Sequence, residues 1–350
     1  MTASGQSAAA RPRLRLAALA RWETLLVILL VVLVAVGSSM SKFFLSGVNF
    51  ANLTSSVMEI AIMALPMTLI VITADIDLSV ESMVGLAGAV LGTLMVAGLP
   101  LPLAIPVVLV VGALGGLLNG LLVTKAGLPA LVVTLGTLAL FRGLANVILG
   151  PTVISVWPKW FTEFGFGTIA GSPIPYTLVV FAILVVVFWT VTHATWIGRQ
   201  VFAIGKNADA SRYSGVRVAS TRTWLFIVSG IVAALAGIIL AARFSSARND
   251  NGTGMTLTVV TVVLLGGVDI NGGKGSIPGV VLAVFILALL QNILRLVGVS
   301  SEYQGIAVGL LLVLSVIVPQ LARQTRGAID RARRGRRPPV GSVSSGEITA

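Results

Sequence analysis

Residues 174 to 195 read IPYTLVVFAILVVVFWTVTHAT, and no Lys, Arg, Asp or Glu interrupts them. The stretch exceeds the roughly 20 apolar residues that carry a helix through a bilayer. In lipid every backbone N–H and C=O must be satisfied within the segment, so a run of this length is read as a spanning helix. Nine further apolar runs share its character: 22 to 41, 52 to 73, 80 to 98, 101 to 123, 128 to 149, 222 to 244, 256 to 270, 277 to 298 and 303 to 321. Together they predict an all-α, polytopic membrane protein with about ten transmembrane helices. The run from 256 is short and ends in Gly-rich sequence, so a half-helix or re-entrant segment is the alternative there.

Composition agrees with lipid as the solvent. With 56% hydrophobic and 10% charged residues, the chain cannot close a polar shell around a core. The organisation is a basic cytoplasmic segment at 1–21, one membrane domain at 22–321, and a basic, Pro-, Gly- and Ser-rich tail at 322–350 read as disordered. Arg11, Arg13, Arg15 and Arg21 before the first run imitate a signal peptide, but no clear small-x-small site follows, so the run is read as an uncleaved first span.

The absence of Cys excludes a disulfide framework and thiolate metal sites, and a single His, His193, excludes a His cluster. His193 is read as an interfacial hydrogen bonder and given no other role. The net charge of +12 sits in short hydrophilic segments, which argues for topology signals and against a nucleic-acid surface. With both termini cytoplasmic, 18 of the 24 Lys and Arg fall on inner segments, as the positive-inside rule asks. Trp157, Trp160 and Tyr176 then mark the outer interface, and Trp22, Trp196 and Trp224 the inner one.

Two connections exceed a turn. The outer one, about 150–173, carries Trp157, Pro158, Trp160 and Phe161 and suits a packed surface. The inner one, between Trp196 and Arg222, has Ala residues behind a candidate cap at Asn207 and stops at Gly215, which predicts a short helix outside the membrane. Such a helix can act as a rigid lever for a partner's stroke, while by shape alone the loop reads as a plain link between spans.

The inner stretch with Gly198, Arg199, Ala203-Ile204-Gly205, Asn207, Ala210, Arg212 and Ser214-Gly215 resembles the coupling loop of permeases in the ribose-type family of ABC importers. Asp77-Leu78-Ser79-Val80, Asn119-Gly120-Leu121-Leu122-Val123, Val133-Thr134-Leu135-Gly136-Thr137, Arg142-Gly143 and Gly150-Pro151 are similar to that family's motifs in order and spacing. So are Gly252-Thr253-Gly254, Leu264-Leu265-Gly266-Gly267 and Gly272-Gly273-Lys274-Gly275, and the likeness covers about 50 to 320. Where the family usually shows Gly-Gly-Ile-Asp-Leu-Ser-Val-Gly, this chain has Ala74-Asp75-Ile76-Asp77-Leu78-Ser79-Val80-Glu81. Ser245 to Arg248 and Val268 to Asn271 look nearest the rhamnose and autoinducer-2 permeases.

The resemblance implies a non-catalytic transport subunit in the cell membrane that moves a monosaccharide or sugar-like solute inward. Its partners would be a second permease subunit, identical or paralogous, two cytoplasmic ATPase domains and an extracytoplasmic solute-binding protein. The chain itself would hold no cofactor, ATP and Mg being bound by the ATPases, and the coupling residues would be Gly198, Arg199, Ala203, Gly205, Asn207, Ala210, Arg212 and Gly215. Gly272-Gly273-Lys274-Gly275 is no phosphate loop, because Val268 stands where the first Gly is needed and no Ser or Thr follows Lys274 directly.

Polar residues inside the spans carry the rest of the reading. Glu59 is expected to face a cavity or a partner such as Arg142 or Arg295, since lipid exposure is too costly, and a structural pair is favoured over solute contact. Asp77 or Ser79 is expected to cap the third span, or to serve the pathway if the turn lies at membrane depth. Asn119, Asn146, Gln291 and Asn292 either bond solute hydroxyls or join helices. Gly85, Gly88, Gly112, Gly115 and Gly116 are expected at helix contacts. The rival reading is an ion-coupled secondary transporter using Glu59 and Asp77; a membrane enzyme has no His, Cys or paired-acid constellation to support it.

Overall fold

The structure, a computed structural model, describes residues 22 to 315 and 317; the expected basic segment at 1–21 and the tail at 322–350 lie outside the described residues. All ten apolar runs are helical where described. They form α1 (Trp22–Met40), the bent pair α2 (Gly47–Ser55) and α3 (Met58–Ile72), α4 (Val80–Val96), α5 (Leu101–Thr124) and α6 (Ala130–Leu149). After the short α7 (Lys159–Phe166) come α8 (Tyr176–Ala194), α9 (Trp196–Lys206), α10 (Ala208–Tyr213), α11 (Val218–Phe244), α12 (Met255–Leu265), α13 (Ile277–Leu296) and α14 (Ser301–Ser315).

Six of these, α1, α5, α6, α8, α11 and α13, are long and apolar enough to cross a membrane, and α2 with α3, bent by 47°, makes a seventh if the pair is one broken span rather than a re-entrant loop. α4, α12 and α14 are shorter apolar helices, so the ten expected spans are ten helices of unequal reach. The bend has a local cause. Thr54 and Ser56 turn their hydroxyls onto the carbonyls of Phe50, Ala51 and Leu53, drawing acceptors out of the helical ladder.

α3 is the centre of the molecule. Beyond Glu59 in its first turn it is almost wholly apolar, and it is buried on every side, against α8, α9, α11, α12 and α13. α1, α6 and α8 expose broad Leu, Val and Ile surfaces, as helices facing lipid do. α5 and α11 meet along a glycine seam: a Cβ on Gly112 would lie 2.4 Å from the Gly230 carbonyl oxygen, and one on Gly116 would lie 2.2 Å from that of Phe226. A Cβ on Gly85 would lie 2.9 Å from the Asn249 and Asn251 carbonyl oxygens and one on Gly115 would lie 2.2 Å from the Met83 side-chain methyl, whereas one on Gly88 would meet only the Asn251 amide at 3.9 Å.

Two helices are broken inside the bundle. α3 ends at Ala74 (φ 63°) and the chain turns back into the protein before α4. α11 ends at Ser245 (φ 49°), after which the backbone runs along α4, with Ala247 beside Gly92 and the Asn249 and Asn251 carbonyls beside Gly85. Irregular backbone at this depth needs internal partners. Arg142 of α6 supplies them, its Nη1 donating to the carbonyls of Asn249 (2.7 Å) and Asn251 (3.4 Å).

Candidate functional site

One end of the bundle carries α9 and α10. α9 is seated by two glycines: a Cβ at Gly198 would fall 1.9 Å from the Thr192 carbonyl oxygen, and one at Gly205 would fall 1.7 Å from that of Ile72 and 2.5 Å from the Gly273 nitrogen. The Gly273 N–H donates to the Ile72 carbonyl at 2.8 Å. Three backbones therefore meet at one point: the end of α3, the end of α9 and the turn between α12 and α13.

α10 is a separate element. Asn207 adopts an extended conformation and its Oδ1 accepts from the Ala210 N–H at 2.9 Å, the N-cap that the sequence suggests. Gly215 closes it with φ 83°, its N–H donating to Arg212 C=O at 3.0 Å and that of Val216 to Ser211 C=O at 3.0 Å. Arg199, Asn207, Ala210 and Arg212 are exposed, and Ala203 is half-buried with its carbonyl holding the Asn207 N–H. The sequence anticipated one short helix here, and the loop forms two, because Trp196 to Lys206 is itself strongly amphipathic and buries Val201 and Ile204.

The acidic turn lies beside this end and is buried. Asp75, 5% exposed in its side chain, is gripped by both the Nε and the Nη2 of Arg222, at the start of α11. Asp77, 2% exposed, accepts from the Ser79 N–H (3.0 Å) and hydroxyl (2.6 Å) and from the Ser229 hydroxyl (2.8 Å). Asn119 donates to the Ser79 hydroxyl at 2.8 Å, and its Oδ1 is buried with no partner. Ser79 precedes α4 but makes no side-chain cap; its hydroxyl is committed to Asp77. Glu81 instead serves a second helix, accepting from the Thr256 N–H at 3.1 Å in the first turn of α12.

Glu59 pairs with Arg243, its Oε1 2.8 Å from Nε and its Oε2 3.3 Å from Nη2. Neither Arg142 nor Arg295, the partners expected from sequence, reaches it: Arg142 holds the backbone after α11, and Arg295 donates to Ser56. Arg243 lies in the last turn of α11, which finishes against the first turn of α3, and only that packing brings the two together. Asn292 exchanges amide hydrogen bonds with Asn49 at 2.9 and 3.1 Å, joining α13 to α2. Asn146 is exposed, and Gln291 is half-buried without a side-chain hydrogen bond among the described residues. His193 Nε2 accepts from the Ile277 N–H at 3.4 Å, a joint between α8 and α13.

Among the described residues no group of three or more His, Cys, Asp or Glu could hold a metal ion. What the geometry offers is mechanical: an exposed short helix, α10, that follows directly on α9, whose Gly205 end is packed against the end of α3, and a buried polar hub at the break between α3 and α4.

Residues 49–316 match the family described as branched-chain amino acid transport system / permease component. The autoinducer 2 import system permease protein LsrD of Yersinia enterocolitica is 39% identical over 85% of this chain and 91% of its own length. The protein of the same name from Yersinia pseudotuberculosis is 39% identical over 85% of this chain and 90% of its own. That of Photorhabdus temperata is 37% identical over 91% of this chain and 97% of its own. No solved structure matches. The chain is a multi-pass membrane protein and belongs to the branched-chain amino acid transport system / permease component family, the family of the ribose-type and autoinducer-2 permeases.

Proposed function

We propose that this chain is the membrane permease of an ABC importer that carries a neutral sugar-like solute, such as autoinducer-2, rhamnose or a ribose-type sugar, into the cell. The observation that carries the reading is the full-length likeness to autoinducer 2 import permeases, together with an exposed, capped α10 that follows α9, whose Gly205 end is packed against the buried α3. Two partner ATPases would dock on α10 and hydrolyse ATP with their own Mg. A second permease, identical or paralogous, would complete the path, and a solute-binding protein would deliver solute to the end that carries α7.

In this reading both termini and α9–α10 face the cytoplasm, and exposed Trp196 and Trp224 lie at that interface. Closure of the ATPases pushes α10; α9 and the Gly205 junction pass the displacement to the ends of α3 and α12. The chain contributes no catalytic residue.

The test is uptake of labelled autoinducer-2, rhamnose and ribose into proteoliposomes holding the chain with its ATPase and binding protein. ATP-dependent uptake that requires all partners supports the importer. Uptake by the chain alone, driven by an ion gradient, overturns it in favour of a secondary transporter.

A further inference from the structure

A cavity of about 530 Å³ opens at the α9–α10 end, within the size range of small-molecule sites. Asp75 and Arg222 line it on the side of the α3–α4 turn and α11, and Arg212 lines it from α10. Ile76, Leu128, Pro129 and Leu131 give it apolar walls. Leu128, Pro129 and Leu131 are exposed around its mouth, as are Arg212 and Ala219.

Charge bookkeeping selects the chemistry of an occupant. Arg222 is held by Asp75, and the exposed Arg212 stands 3.8 Å from the exposed Asp209 just outside the lining, so each lining arginine already has a carboxylate within reach. It offers hydrogen bonds instead. Arg222 spends Nε and Nη2 on Asp75 and leaves Nη1 without a hydrogen bond among the described residues, while its side chain is 25% exposed. A donor held in place by its ion pair, in a cavity with apolar walls, is the pattern by which a small neutral polyol is oriented and its C–H face covered. Because Arg212 belongs to α10, displacement of that helix alters the cavity directly.

We infer that this cavity is a subsite for a neutral, hydroxyl-bearing solute on its way out of the permease, with Arg222 Nη1 as the orienting donor. The inference rests on the transport function proposed above and places a solute contact at a part of the chain where none is assigned.

The chain has no Cys, so Ala219→Cys and Leu131→Cys each create the single thiol of an otherwise natural protein. The complex with its partners, in nanodiscs, is treated with a fluorescent maleimide, and labelling rates are followed while L-rhamnose, D-ribose, autoinducer-2 or, as the anionic control, ribose 5-phosphate is titrated. The expected result is a saturable slowing by at least one neutral solute, reaching about tenfold once that solute exceeds its Kd by a similar factor. An Asp75→Asn/Arg222→Gln pair, which leaves the net charge of the lining unchanged, should abolish protection while labelling without solute is unchanged. Equal rates with and without every neutral solute, stronger protection by ribose 5-phosphate, or no labelling at either position overturns the subsite. ATP-driven uptake without protection removes the subsite alone, and protection without ATP-driven uptake removes the importer alone.

Discussion

Gly205 and Ile72 touch backbone to backbone: no side chain fits between the end of α9 and the carbonyl that ends α3, since a Cβ on Gly205 would sit 1.7 Å from that oxygen. The same carbonyl accepts from Gly273, so the three segments cannot slide independently. Gly205→Ala must force them apart. The expected cost is about 1–3 kcal/mol, as for overpacked interiors, read as a lower thermal midpoint of the purified protein. In proteoliposomes the variant should keep its ATPase partner but lose most ATP-driven uptake; full uptake would mean that α9 does not transmit the stroke.

Asn207 should act on coupling with little effect on the bundle. Its exposed cap supports a helix of only six residues, and Asn207→Ala removes about 1 kcal/mol from it, about a fivefold fall in the ratio of formed to unformed α10. Asn207→Asp retains the acceptor. Uptake per ATP hydrolysed should therefore fall in the Ala variant and recover in the Asp variant, with both melting like the parent.

The Glu59–Arg243 pair offers a double-mutant cycle. Glu59 is 1% exposed and Arg243 17% in their side chains, so removing one partner strands a buried charge. Glu59→Gln and Arg243→Gln singly should each cost about 3–5 kcal/mol, and the double substitution should cost less than their sum. Additive costs in thermal unfolding would show that the pair does not form.

The glycines of the chain divide by contact. Gly112→Ala and Gly116→Ala drive a methyl group into the backbone of α11 and should lower the thermal midpoint sharply. Gly136 and Gly143 on α6 have nothing within 4 Å, so Ala there should stay within about 0.5 kcal/mol of the parent or stabilise it. A destabilised Gly136→Ala would reveal a partner packed on that face.

The ten apolar runs, the helices they form, the Asn207 cap and the Gly215 stop are properties of short stretches. A run of apolar residues in lipid has no stable alternative to a helix, and a cap is settled by four or five neighbours, so both were legible in the sequence. The broken helices were only partly so. A weak, short eighth run hinted at α12, but nothing between Ser245 and Gly254 says that this backbone lies along α4 and is held by Arg142.

Pairing was decided by the tertiary structure alone. Glu59 had several arginines within reach on paper, and the choice of Arg243 depends on where α11 ends against α3. Asp75 and Arg222 stand 147 positions apart, and Asp77 meets Ser229 across 152. The physical reason is that hydrophobic patterning specifies that a helix is buried but carries no register: sliding one helix by a turn past another leaves its apolar content unchanged and gives every polar side chain a new neighbour. Glycine seams and buried hydrogen bonds choose among those registers, and they exist only once the helices have met.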